Sequence, residues 1–221
     1  MTIKFSGSVR YPCVALLGAF AALCMWASSA SFASEVGGRV SPGDVARFMA
    51  GLEPSGNSPL LARADTRMWW RHAKNMDRAW GRLDERQLSS IAAWSQANLR
   101  GAQKTMLYMF SGPDFLYANS FFPNAKTYVF AGLEPIGVAP DLMNLSDRRV
   151  ADGLSHLRSS INTVLRVSFF ITREMREKLT GKGFKGILPV LFVFLARAGK
   201  DVEKVSYVQL GADGSLMTVP T

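Results

Sequence analysis

Residues 104–137 read KTMLYMFSGPDFLYANSFFPNAKTYVFAGLEPIG. The bulky run from Lys104 to Phe110 ends at Ser111-Gly112-Pro113-Asp114, which predicts a buried strand feeding a turn. Phe115 to Phe122 predicts one or two turns of apolar helix, broken by Pro123-Asn124. Lys126 to Ala131 predicts a second strand, ending at Gly132-Leu133-Glu134-Pro135. Parallel strands need a crossover between them, and strand, turn, helix and strand within about 30 residues make a βαβ unit. This segment sets the expected class as α/β.

C-terminal to it, residues 146–180 predict a long helix. Ser146 is placed to cap it and Asp147 suits its first turn. Val150, Leu154, Leu157, Ile161 and Leu165 keep the helical period, and Gly181-Lys182-Gly183 ends it. Residues 187–196, ILPVLFVFLA, are apolar throughout. The run is too short to span a membrane and predicts a strand covered on both faces, with Pro189 limiting its pairing. Val205 to Leu210 predicts a further strand, Gly211 to Gly214 a hairpin turn, and Ser215 to Val219 the returning strand. Ending there suggests an edge strand or a truncated reading frame.

N-terminal to the βαβ segment, residues 65–100 predict two helices separated at Gly81. Trp69, Trp70, Ala73, Met76 and Trp80 recur at helical spacing on the first, and Leu88, Ile91, Trp94 and Leu99 on the second. Such a tryptophan stripe is expected to be core packing. His72 is read as solvated on the Arg/Lys-rich face, and His156 as a residue of the helix surface or core edge. Ser41-Pro42 starts a short helix running to about Leu52, and residues 53–59, EPSGNSP, form a loop.

The first 33 residues read as a targeting segment. Lys4 and Arg10 precede the apolar stretch from Cys13 to Ala27, and small residues follow, with Ser31 and Ala33 at plausible cleavage positions. That order is a secretory signal peptide. The alternative is an uncleaved anchor in the inner membrane, since about 20 residues span a bilayer. Cleavage would leave 188 residues with a net charge of +7, against +9 for the whole chain, and would remove both cysteines, Cys13 and Cys24. The remaining chain has no disulfide, no thiol nucleophile and no thiolate metal ligand. Two histidines in 221 residues exclude a multi-histidine metal site, and 48% hydrophobic residues exclude a disordered chain.

These elements predict a signal peptide at 1–33, a loosely ordered segment with a short helix at 34–64, and one α/β domain at 65–221. The domain is expected to be a three-layer, Rossmann-like, mostly parallel sheet, with a C-terminal antiparallel hairpin and helices 65–100 and 146–180 over its faces. Its ligand site belongs at the C-terminal ends of the first two strands. Ser111 and Gly112 let backbone approach a ligand, and Glu134 accepts from hydroxyls at the end of the next strand. Tyr108, Asp114, Asn119 and Gly137 complete the candidate set. In order and spacing the segment looks like the first two motifs of class I S-adenosylmethionine methyltransferases. It departs from them in having one glycine in the turn and Pro113 where a backbone donor is wanted. The resemblance implies an adenosyl or nucleotide ligand with Glu134 on the ribose.

The string from Tyr108 to Gly137 also resembles a signature of a group of exported bacterial proteins without described activity, and Ile187 to Gly199 fits the same group. This resemblance covers most of residues 65–210. Members of that group look longer than this chain. The expected protein is therefore periplasmic or secreted and binds a small molecule or an envelope protein at the strand rim; no cofactor is required, and a degenerate methyltransferase-like enzyme is the alternative.

Other chemistries lack their residues. Phe110-Ser111-Gly112 is not a nucleophile elbow. Asp114 and Glu134 form a candidate carboxylate pair, but two acids alone do not define a glycosidase. Asp141 reads as a turn residue. The cluster Arg173, Arg176, Lys178, Lys182 and Lys185 suits a helix C-terminus and accompanies no nucleic-acid-binding motif, so no nucleic acid is expected as a partner.

Overall fold

The computed structural model describes residues 2–6, 40–99, 101, 104–108, 114–130, 135–167 and 184–219. It is a mixed helix-and-strand fold. In chain order the elements are β1 (Thr2–Ser6), α1 (Pro42–Met49), α2 (Leu61–Ala64), α3 (Arg67–Leu83), a π-helical turn (Asp84–Leu88), α4 (Ser89–Asn98), β2 (Thr105–Tyr108), α5 (Phe115–Phe121), β3 (Thr127–Phe130), α6 (Asp147–Val167), α7 (Leu188–Arg197), β4 (Asp201–Ser206), β5 (Val208–Leu210) and β6 (Leu216–Thr218).

The apolar run at 187–196 is a helix, not the expected strand. Every residue of α7 from Leu188 to Ala196 is buried, so a run without polar positions shows no period by which to tell helix from strand. The end signals decide it. Pro189 lies in the first turn, where its missing N–H costs nothing, and Arg197 lies in the last. Ile187 and Leu188 donate to the carbonyls of Pro135 and Ile136, at 3.0 Å each. This contact brings two backbones together: a Cβ on Gly137 (φ +72°) would lie 2.1 Å from the Lys185 carbonyl oxygen, so only glycine fits there. α7 is the centre of the core, with α1, α5, α6 and β4 packed around it.

Losing that strand removes the expected sheet. The described strands form three separate pairs: β1–β4 antiparallel, β2–β3 parallel and β5–β6 antiparallel. No three-layer sheet is present among the described residues. The βαβ unit is there, with Thr105 opposite Thr127 and Tyr108 opposite Phe130. The strand expected to be buried is half open, however. Met106, Tyr108, Tyr128 and Phe130 face inward, while Leu107 and Val129 lie 67% and 45% exposed on the outer face. The C-terminal hairpin also forms, but the strand expected at 205–210 is divided at Tyr207 between β4 and β5.

The helical regions follow the sequence more closely. Ser41 caps α1, accepting from the Asp44 N–H at 3.0 Å. Residues 40–64 are not the loose segment expected: Phe48, Met49 and Leu60 are fully buried, and Asp44 holds the following loop through the Ser55 N–H and hydroxyl. Gly81 does not interrupt the 65–100 region; α3 runs through it, and the irregularity is the π-turn that joins α3 to α4. The tryptophan stripe divides. Trp69 is core, donating from Nε1 to the Phe48 carbonyl at 3.0 Å, and Trp80 packs 6.3 Å from the Phe194 ring. Trp70 and Trp94 are exposed. α6 follows the expected helix through Val167, and the rest of that expectation lies outside the described residues.

Thr2–Ser6, within the segment read as a targeting signal, pair with β4, and Lys4 lies 3.2 Å from Glu203. The apolar stretch at 13–27 lies outside the described residues. Among those described, no helix is long and apolar enough to cross a membrane.

Candidate functional site

Two places bring polar side chains together. The first is the predicted rim. Tyr108 ends β2 and Asp114 stands at the start of α5. Burial raises the phenol pKa of both Tyr108 and Tyr117, and the Asp114 charge raises them further, which places that carboxylate near both rings. Tyr117 donates to Gln87 Oε1 at 2.9 Å. The Tyr128 hydroxyl donates its one proton to the Phe122 carbonyl, and the Asn119 side chain on α5 lies 3.4 Å from the same hydroxyl. Burial pushes the Tyr128 phenol up to about 12.

Behind these groups the rim is filled with rings. Phe115 is buried, with Tyr128 and Phe130 at 5.3 and 6.3 Å from it in edge-to-face contact, and Tyr108 meets Phe130 at 5.8 Å. Ser111, Gly112 and Glu134 lie outside the described residues. Gly137 is placed against Gly186, where it serves the backbone crossing under α7. Of the candidate set, then, Tyr108 and Asp114 come together, Asn119 meets the Tyr128 hydroxyl one turn beyond Phe115 on α5, and Gly137 is a packing residue.

The second place is a cleft of about 250 Å³ between α3 and α6, which sequence reading missed. Asn75, Arg78 and Arg82 follow one another along successive turns of α3, and Arg158 and Asn162 face them from one turn spacing of α6. Met76, Ala79 and Ile161 make its apolar floor. Three guanidinium groups and two amides therefore line one cavity, with no carboxylate among the described lining residues. Arg78 donates to the Asn75 side-chain oxygen, which steers both along the same wall.

The inner wall of the cleft runs into the core through His72. This residue is 1% exposed, not the solvated histidine that its basic neighbours suggested. Its Nε2 lies 2.9 Å from the Met49 carbonyl and its Nδ1 2.9 Å from a terminal nitrogen of Arg158. A carbonyl only accepts and a guanidinium only donates, so the proton is on Nε2 and the Nδ1 lone pair receives Arg158. Burial above all, and then the nearby charges of Arg158 and Arg197, lower the His72 pKa to about 4 against the Met49 hydrogen bond, so the ring is neutral near pH 7. Arg197 closes the network behind it. Its side chain is almost fully buried, and it donates to the Ala50 carbonyl at 2.8 Å and to Asp77 at 2.6 Å.

His156, in contrast, is exposed on α6, in keeping with its reading as a surface position. Asp141 is a turn residue, accepting from the backbone of Met143 and Asn144. Among the described residues no group of histidines and carboxylates could hold a metal ion. No protein family, curated protein or solved structure matches this chain.

Proposed function

We propose that this is an exported binding protein whose ligand is a small multiply charged anion, such as a phosphate ester or a polycarboxylate, held in the cleft between α3 and α6. The observation that carries this reading is the convergence of Arg78, Arg82 and Arg158 on one cavity with no carboxylate among its described lining residues. Like charges gathered around a shared space repel one another until an anion enters, and guanidinium groups match carboxylate and phosphate oxygens in pairs. Asn75 and Asn162 add neutral donors at the edges, and the apolar floor supports a short carbon frame.

Calorimetric titration of pyrophosphate and of citrate into the chain tests the reading. The expected result is saturable binding that weakens with salt and weakens about tenfold or more in Arg82→Ala, each lost charge-assisted bond being worth about 1.5–3 kcal/mol. Affinity that ignores both salt and Arg82 would refute it.

A second reading is supported by the parallel β2–β3 pair with α5 between its strands. It keeps the Rossmann-like expectation and places an adenosyl or nucleotide ligand, or an envelope-protein partner, at the rim with Tyr108, Ser111, Gly112, Asp114 and Glu134. Its test is thermal unfolding with S-adenosylmethionine. Ligand at a hundred times its dissociation constant adds about 2.7 kcal/mol, a rise of roughly 5–11 °C for a chain of this size, which Glu134→Ala would abolish.

A further inference from the structure

We infer that His72 is the positioning residue of the cleft: from the core side it fixes the Arg158 guanidinium by accepting its hydrogen bond at Nδ1, so that the ligand meets an arginine already in place. This rests on the cleft being the binding site.

The argument starts from what a free arginine costs. An unanchored arginine keeps about 2 kcal/mol of rotamer entropy, part of which is lost when a ligand orders it. Arg158 is half buried, and among the described residues its hydrogen-bond partner is His72. The position requires a side chain that donates at one end, to Met49, and accepts at the other, from Arg158. Lysine and arginine only donate and a carboxylate only accepts, whereas a neutral imidazole does both.

Burial and two of the three elements that face the ring keep it neutral, against the Met49 hydrogen bond. Arg158 faces it from α6 and Arg197 from the end of α7, while α1 offers the Met49 carbonyl. The one carboxylate in this network, Asp77 of α3, is held by Arg197. An imidazolium there would have to donate at both nitrogens, and Arg158 would lose its acceptor.

Two amide substitutions separate positioning from packing. An asparagine places its oxygen near the site of Nδ1 and can still receive Arg158. A glutamine reaches the site of Nε2 and Met49, and leaves Arg158 without an acceptor. The experiment is pyrophosphate titration of the full chain near neutral pH, comparing wild type, His72→Asn, His72→Gln and Arg158→Ala. We expect His72→Asn to bind within about threefold of wild type, and His72→Gln to bind about tenfold or more weakly, the loss expected for one charge-assisted bond.

Equal losses in the two amide variants would overturn the inference and make His72 a packing residue. Weakened binding in Arg158→Ala with wild-type affinity in His72→Gln would overturn it too, while leaving the cleft as the site. Unchanged binding in Arg158→Ala would overturn the cleft reading itself. Should either amide variant fail to fold, nitrogen-resolved NMR of the wild-type histidine decides: a proton on Nε2 with Nδ1 bare is expected, and the opposite tautomer would overturn the inference.

Discussion

The rim of the βαβ unit and the arginine cleft are built from opposite materials. At the rim, rings touch rings, and the phenols of Tyr117 and Tyr128 are already bonded to neighbours in the chain. At the cleft, three cationic groups face a cavity and the polar network lies behind them, tied into the core by His72 and Arg197. The described part of the rim is thus occupied by packed rings, whereas the cleft gathers three guanidinium groups with no carboxylate among its described lining residues. A glycine-containing turn marks where a ligand could approach. Convergent charge around one cavity is the more demanding signature, because the fold must bring like charges together.

The largest effect that would sharpen this contrast comes from emptying the rim. Phe115 is 1% exposed and meets two rings of β3. Phe115→Ala should lower stability by about 3–5 kcal/mol in urea unfolding. A loss below about 1 kcal/mol would mean that the ring is not packed and that the rim has room for a ligand.

The next effect belongs to the cleft and is read through pH. The His72 pKa is lowered to about 4 in the folded chain from 6.5. Between those values the unfolded chain binds a proton that the folded chain refuses, so stability falls as pH falls. The contribution of His72 is fully present above about 6.5 and lost by about 4, and it amounts to about 3 kcal/mol at 1.36 kcal/mol per unit. Urea unfolding measured across this window checks it, with His72→Asn flattening the slope. An unchanged slope in that variant would place His72 in contact with solvent and break the link between cleft and core.

How much of this was legible depended on which residues carry local signals. Ser41-Pro42 announced α1, and Ser146-Asp147 announced α6, because caps act through their own helix ends. The order β2–α5–β3 was legible from turn residues and short apolar runs. α7 was not, since burial on every side erases the period that distinguishes helix from strand. His72 was misread, although the signal was present: it lies three residues after Trp69 and four before Met76, the spacing of one buried helix face. Its basic neighbours Arg71 and Lys74 drew the reading outward. The cleft itself could not be found from sequence, because Arg82 and Arg158 stand on helices that are brought together by α7 and the core, and nothing local relates them.

The smallest expected effect tests the outer face of the rim strand. A buried strand, as the sequence reading supposed for residues 104–110, makes Leu107 a core residue whose loss of methyl groups would cost about 2 kcal/mol or more. In the structure Leu107 lies beside its register partner Val129 on a surface open to water, 67% exposed. Leu107→Thr exchanges a γ-branched apolar chain for a β-branched one that suits a strand equally well, so stability should stay within about 0.5 kcal/mol of wild type. A loss near 2 kcal/mol would show that something covers this face in solution. The β2–β3 pair would then be part of a larger sheet, as parallel strands usually are, and the Rossmann-like reading of the rim would gain on the cleft. A neutral result keeps the pair as a two-stranded ledge whose inner rings serve packing and whose outer face serves nothing in the core.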